Sequence, residues 1–295
     1  MSEIHVAPAG HGHTASIHEL AIRAVCLLGG GLWFALALAL YNKWSWATSL
    51  WPWPDVGMSF VFLASIAAAI GAPLVWIGTT GEFAAFAGIG INTLVVNAGA
   101  TVYLALRWAR WEEPVSGPIA VTLGATALGA GLYLWSRKIV LRDPRPMPTL
   151  VRRAFVAFAA TLVAVGTALT LQAPHVFPWN LQTQDSVLFG LIFLGAATYF
   201  LHAVAHPRWS MGAPPLWSFL AYDVVLFAPY LRLLGGSSDG ATMADYYGST
   251  GGTASVNVAS LSVYLAVLAA STLLALYMFL IDARTRVIRR RARGG

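Results

Sequence analysis

The chain has 295 residues, 58% of them hydrophobic and 10% charged, with a mean hydropathy of +0.67; an ordinary soluble domain carries about 25% charged residues. Its 18 Lys+Arg against 12 Asp+Glu give a net charge of +6, but the cations gather between two apolar blocks and at the C-terminus rather than over one face, which points away from nucleic acid as a partner. The single cysteine, Cys26, rules out an intramolecular disulfide and a Cys-based metal cluster, and its apolar setting makes it a small hydrophobe.

Residues 1–17 read as a disordered cytoplasmic N-terminus. Gly, Ala and Ser surround His5, His11 and His13, with His18 just beyond, so only adventitious metal binding is expected there. No basic stretch precedes an apolar one, which argues against a cleaved leader. Apolar runs long enough to cross a bilayer then predict eight helices, near 18–40, 57–77, 83–106, 117–136, 151–171, 185–205, 214–234 and 256–281. The Gly-rich block at 117–136 leaves a seven-span alternative, in which it re-enters instead of crossing. Gly71-Ala72-Pro73 and Ala228-Pro229 interrupt their runs and predict kinks rather than ends, because neighbouring groups in a bundle can satisfy the freed carbonyl.

Charge placement orients these spans. Arg137, Lys138, Arg142, Arg145, Arg152 and Arg153 lie between the fourth and fifth, and Arg284, Arg286, Arg289, Arg290, Arg291 and Arg293 follow the eighth. The positive-inside rule puts both sets in the cytoplasm, and the even number of spans between them agrees. Both termini of a plasma-membrane protein are then cytoplasmic, with external segments at 41–56, 107–116, 172–184 and 235–255. Arg107 and Arg110 depart from the rule, although Glu112 and Glu113 follow them closely. The basic clusters are also expected to draw anionic lipid, at about 1 kcal/mol per cation near the surface.

An internal relation organises the chain. Trp51-Pro52-Trp53 follows the first span and Phe177-Pro178-Trp179 the fifth, at an offset of 126 residues. At that offset Trp76 falls on His202, Thr80 on His206, Glu82-Phe83 on Arg208-Trp209 and Asn97 on Asp223. The expected fold is an all-α transmembrane bundle of two parallel four-helix halves, 18–136 and 151–281, joined by a basic linker at 137–150 and ending in a basic tail at 282–295. Convergence on similar interface chemistry is the competing explanation.

Few polar groups stand where chemistry needs them. Trp51, Trp53 and Trp179 are expected to anchor the bundle in the headgroup layer, where an indole has an apolar body and a polar partner; a lid for a hydrophobic molecule is the sharper alternative. His202 and His206, four residues apart on one helical face, are the candidates for a metal or haem. Two ligands fall short of the three or four that zinc needs, and no cofactor is expected. Asp223 lies well inside the seventh span, where an ionisable group is costly unless paired, hydrated or protonated. With Asn97, Asn92 and Tyr222 it forms the candidate ligand or proton site, against the plainer role of a polar clamp between helices. Glu82 and Asp185 read as helix-start charges, with Glu82–Arg208 as a candidate pair between the halves.

Other patterns for common enzyme chemistry are absent from the sequence: no HExxH, no Walker lysine loop and no paired Asp-rich motifs. Asp143-Pro144-Arg145-Pro146 has a faint likeness to the basic-Pro segment of membrane phosphatases, without the serine and histidine segments that should follow. Leu50-Trp51-Pro52-Trp53-Pro54, with a span beginning shortly afterwards, resembles the opening of an uncharacterised family of multi-pass bacterial membrane proteins. The likeness runs to Trp76 and departs after Pro54, where Asp55-Val56-Gly57-Met58 replaces Leu-Thr-Pro-Leu. It implies membrane topology and no chemistry.

The expected function is therefore non-catalytic: an accessory subunit or a scaffold for a lipid-like ligand, with membrane lipids as partners and other membrane subunits docking through the Gly-rich 235–255 loop. The alternative is a proton-linked or small-molecule transporter built on Asp223. A haem or metal electron-transfer subunit ranks below both.

Overall fold

The computed structural model describes residues 16–51, 57–110, 116–179, 181–235 and 257–285. Within them run α1 (Ile17–Tyr41), α2 (Gly57–Thr80), α3 (Phe86–Ala109, entered through a 3-10 turn at Phe83–Ala85) and α4 (Ser116–Ser136). After the linker come α5 (Thr149–Thr170), α6 (Thr183–Ala205), α7 (Trp209–Gly235) and α8 (Val258–Leu276, continued by a π turn over Tyr277–Ile281). A single helical turn, Ser45–Thr48, follows α1. The described residues contain no strand, only an isolated bridge between Pro146 and Arg208.

Eight helices are long and apolar enough to cross a membrane. In hydrocarbon every backbone N–H and C=O must find an internal partner, and a continuous helix supplies it. The molecule is a multi-pass helical membrane protein. The block at 117–136 belongs to the unbroken 21-residue helix α4, so the re-entrant, seven-span alternative is set aside.

Local chemistry sets the helix ends. Ser16 Oγ accepts the Glu19 N–H at 3.2 Å to start α1, and Asn257 Oδ1 accepts the Ser260 N–H at 3.0 Å to start α8. Gly81, at φ 71°, carries the chain out of α2 through the left-handed region. Pro73 and Pro229 remain inside α2 and α7, as their flanking runs predicted. One boundary moves: α7 begins at Trp209, not near 214, because Pro214 and Pro215 fall in its second turn and cost only hydrogen bonds close to its start.

Successive helices run antiparallel and form four hairpins, α1/α2, α3/α4, α5/α6 and α7/α8, which are joined across the middle by α2 on α7 and α3 on α6. The main core is aromatic. Phe62 of α2 meets Phe177, Phe189, Phe193 and Tyr222 with ring centroids 4.6–6.1 Å apart, and Phe200 of α6 packs between Phe155 and Phe219.

Three of the four hairpins close on paired glycines. A Cβ on Gly71 would come 3.0 Å from the Gly30 carbonyl, one on Gly129 2.9 Å from that of Gly90, and one on Gly190 2.7 Å from that of Gly166. Backbone thus meets backbone, the closest approach two helices can make in lipid. Gly124 on the outer side of α4 meets nothing within 4 Å. Gly129→Ile is therefore expected to cost about 1–3 kcal/mol by forcing α3 and α4 apart, and Gly124→Ile to leave stability unchanged. Reversible unfolding in mixed micelles, with the two variants side by side, checks this.

Candidate functional site

Asp223 is placed by α7 deep inside the bundle and is 1% exposed. Its Oδ2 accepts the Ser271 hydroxyl at 2.7 Å and the Thr272 hydroxyl at 2.9 Å, both from α8. Ser271 and Thr272 are adjacent, so they lie a hundred degrees apart around α8 and both reach one oxygen. A carboxylate in hydrocarbon needs such donors. The fourth hairpin, the only one without a glycine pair among those described, is thus closed by a polar clamp. In sequence the only signal was the Ser271-Thr272 pair in the second half of a span that also carries Ser260 and Ser262, with nothing to mark it as the partner of Asp223.

The other members of the expected polar cluster do not converge on Asp223. Asn97, on α3, donates from Nδ2 to its own helix at the Thr93 carbonyl, 2.9 Å away. Asn92 faces α6, where a Cβ on Gly195 would come within 2.6 Å of its Oδ1. Tyr222 hydrogen-bonds Tyr264 of α8, hydroxyl to hydroxyl. The reason is topological: α7 packs on α2 and α8, and α3 packs on α4 and α6, so residues equivalent by offset stand in different interfaces.

His202 and His206 share a face of α6, their ring centroids 4.5 Å apart. The His206 Nδ1–H donates to the His202 carbonyl at 3.1 Å, and His202 sets its ring edge-on to Tyr133 of α4, 6.2 Å away. Among the described residues no three His, Cys, Asp or Glu side chains come together as metal ligands.

The aromatic anchors are corrected in part. Trp179 is 3% exposed and packs on Phe177 and Tyr230 inside the bundle, because the interior offers its indole both apolar contacts and an acceptor, Ser59 Oγ at 3.3 Å. Trp51 is half-buried and donates from Nε1 to Asp185 Oδ1 at 3.1 Å. Each indole therefore crosses from its own loop to the first turns of a helix in the other half. Ser59 and Asp185 are themselves 126 residues apart in sequence. Trp53 and the 235–255 loop, apart from Gly235, lie outside the described residues, as do residues 1–15. Trp44 and Trp46, beside Trp51 in sequence, are about half exposed.

On the opposite face the basic linker is a strap. Glu82, 2% exposed, does not cap its turn and does not pair with Arg208. It accepts the backbone N–H of Arg142 at 3.0 Å and of Asp143 at 2.9 Å. Arg142 reaches on to Glu19 of α1 at 2.7 Å. Arg208 donates to the Pro144 carbonyl at 3.2 Å, beside the backbone pair Met147 N–H to Pro207 and Trp209 N–H to Arg145. Arg145 donates to the Arg284 carbonyl just after α8. One strap thus holds both the turn at 80–83 and the turn at 206–209, by different atoms.

No family model, curated protein or solved structure matches the chain.

Two expectations follow from this geometry. Removing both hydroxyls, Ser271→Ala with Thr272→Val, should cost about 1–3 kcal/mol, and Asp223→Asn should recover part of that loss because a neutral amide needs its lost donors less; a double-mutant cycle of unfolding free energies checks the coupling. Glu82 titrates above its ordinary 4.5, since burial outweighs the two amides that favour its charge. The folded state then binds the proton more tightly than the unfolded one, so this contribution is full below about pH 4.5 and is lost as pH rises through the folded value. Thermal unfolding of wild type against Glu82→Gln should show the difference moving in the variant's favour as pH is raised from 4.5 to 7.

Proposed function

We propose that the protein is a non-catalytic membrane scaffold, an accessory subunit or holder of a lipid-like ligand, built from two parallel four-helix halves. The observation that carries this is the Asp223 clamp: the most deeply buried candidate for transport chemistry is hydrogen-bonded to two α8 hydroxyls, which is the arrangement of a fixed interhelical contact.

A two-half organisation is supported by the packing scheme. Exchanging α1–α4 with α5–α8 in order turns α1/α2 into α5/α6, α3/α4 into α7/α8 and α2/α7 into α6/α3, all of which are packed pairs. The acceptors of the crossed indole bonds, Asp185 and Ser59, follow the same exchange at 126 residues, while their donors Trp51 and Trp179 stand 128 apart. Orientation in a plasma membrane, with both termini cytoplasmic, is supported by the basic linker and the end of α8 lying on one face, where the positive-inside rule places cations in the cytoplasm.

The test is proton flux into vesicles that carry the full chain and an internal pH dye, driven by a potassium diffusion potential. On the scaffold reading wild-type and Asp223→Asn vesicles acidify no faster than empty ones. A flux present in wild type and lost in Asp223→Asn would instead establish the proton-linked transporter.

A further inference from the structure

α3 and α5 both pack on α6, and on that flank a cleft of about 340 Å³ remains between them, on the face opposite the linker strap. Its floor is Val187 and Leu191 of α6, and its wall is Gly99, Val102 and Leu106 of α3. Gly99 admits Leu191 so closely that a Cβ would come 2.6 Å from its Cδ2. Val102 and Leu106 are 60% and 56% exposed, which places an open apolar trough on the lipid-facing side of a membrane helix. The trough runs along α3 from Gly99 to Arg107, eight residues or about 12 Å of helix.

Its mouth is cationic. Arg107 and Arg110, which depart from the positive-inside pattern, both line the cleft. The Arg107 guanidinium lies 6.0 Å over the Tyr103 ring, one turn back along α3, and Tyr103 also lines the cleft. Gln172 completes the rim from the end of α5, held there by a left-handed backbone at φ 59°, a conformation that is uncommon for a residue other than glycine. An apolar trough at chain depth, crowned at headgroup depth by two guanidiniums and an amide, matches an acyl chain capped by a phosphodiester.

We infer that the cleft between α3, α5 and α6 binds one anionic phospholipid, its acyl chain along Val102 and Leu106 and its phosphate between Arg107 and Arg110. The inference deepens the scaffold reading, on which it rests for the presence of a held ligand, by naming the class of that ligand and its seat. A zwitterionic headgroup offers the same phosphate but brings an ammonium toward the second guanidinium, so the site favours net negative charge.

The experiment is native mass spectrometry of the detergent-solubilised full chain, titrated with phosphatidylglycerol and with phosphatidylcholine of identical acyl chains. One tightly held phosphatidylglycerol per chain is expected. Arg107→Gln with Arg110→Gln should weaken it by about thirtyfold, from roughly 1 kcal/mol per interfacial cation. Arg152→Gln with Arg153→Gln, an equal change of charge at the linker end of α5, should leave it within about twofold, well under 1 kcal/mol. Val102→Trp, at a position exposed enough to accept the ring, should fill the trough and remove lipid of either headgroup. Equal binding of the two lipids, as would follow if Glu112 and Glu113 neutralised the arginines, overturns the inference. So does an equal loss from the Arg152/Arg153 variant. Neither result bears on Asp223-dependent flux, so the scaffold reading is tested separately.

Discussion

In lipid the apolar faces of helices gain little by meeting one another, since a neighbouring acyl chain is as apolar as a leucine. Everything that gives this bundle a particular arrangement has to come from close backbone approach or from the few polar groups the chain can place inside. The glycine pairs Gly30/Gly71, Gly90/Gly129 and Gly166/Gly190 supply the first. Asp223 with Ser271 and Thr272 supplies the second. Once these four hairpins exist, the aromatic cluster around Phe62 fills the space between them.

The two faces of the bundle are tied in different ways, and the difference follows from what each end of the helices offers. On one face indoles act at reach: Trp51 and Trp179 each cross to a helix start of the opposite half and find a carboxylate or hydroxyl there. On the other face a single strap of backbone touches α1, the turns before α3 and α7, and the chain just after α8. The linker carries as much hydrogen bonding in its amides and carbonyls as in its charges. Its arginines therefore have a structural role beside the electrostatic one expected of a basic segment near a membrane.

The candidate site was partly legible. That a carboxylate within a span needs partners is a statement about solvation, and it singled out Asp223 from one line of sequence. Which partners it takes is a matter of which helix stands alongside. Asn97 is equivalent by offset and yet lies on α3, bonded to its own helix at Thr93, while the two hydroxyls lie 48 and 49 residues downstream of Asp223 on its hairpin partner. Glu82 was likewise marked by its position at a turn, but the groups it binds are linker amides, which every residue type except proline carries and no sequence pattern announces. Trp179 reads as an interfacial anchor by composition, and became interior because an acceptor was waiting there.

The apolar runs, their helical character and the two basic clusters were determined by the sequence alone, because lipid imposes a span length and a continuous helix satisfies its own backbone; that the Gly-rich α4 is an unbroken helix was settled by the structure. Pairing between helices distant in the chain was decided only in three dimensions. α2 on α7, α3 on α6, the crossed indoles and the cleft with Arg107 and Arg110 at its mouth depend on which faces meet, and in a nearly uniform apolar sequence one face differs from the next by a glycine or a single hydroxyl.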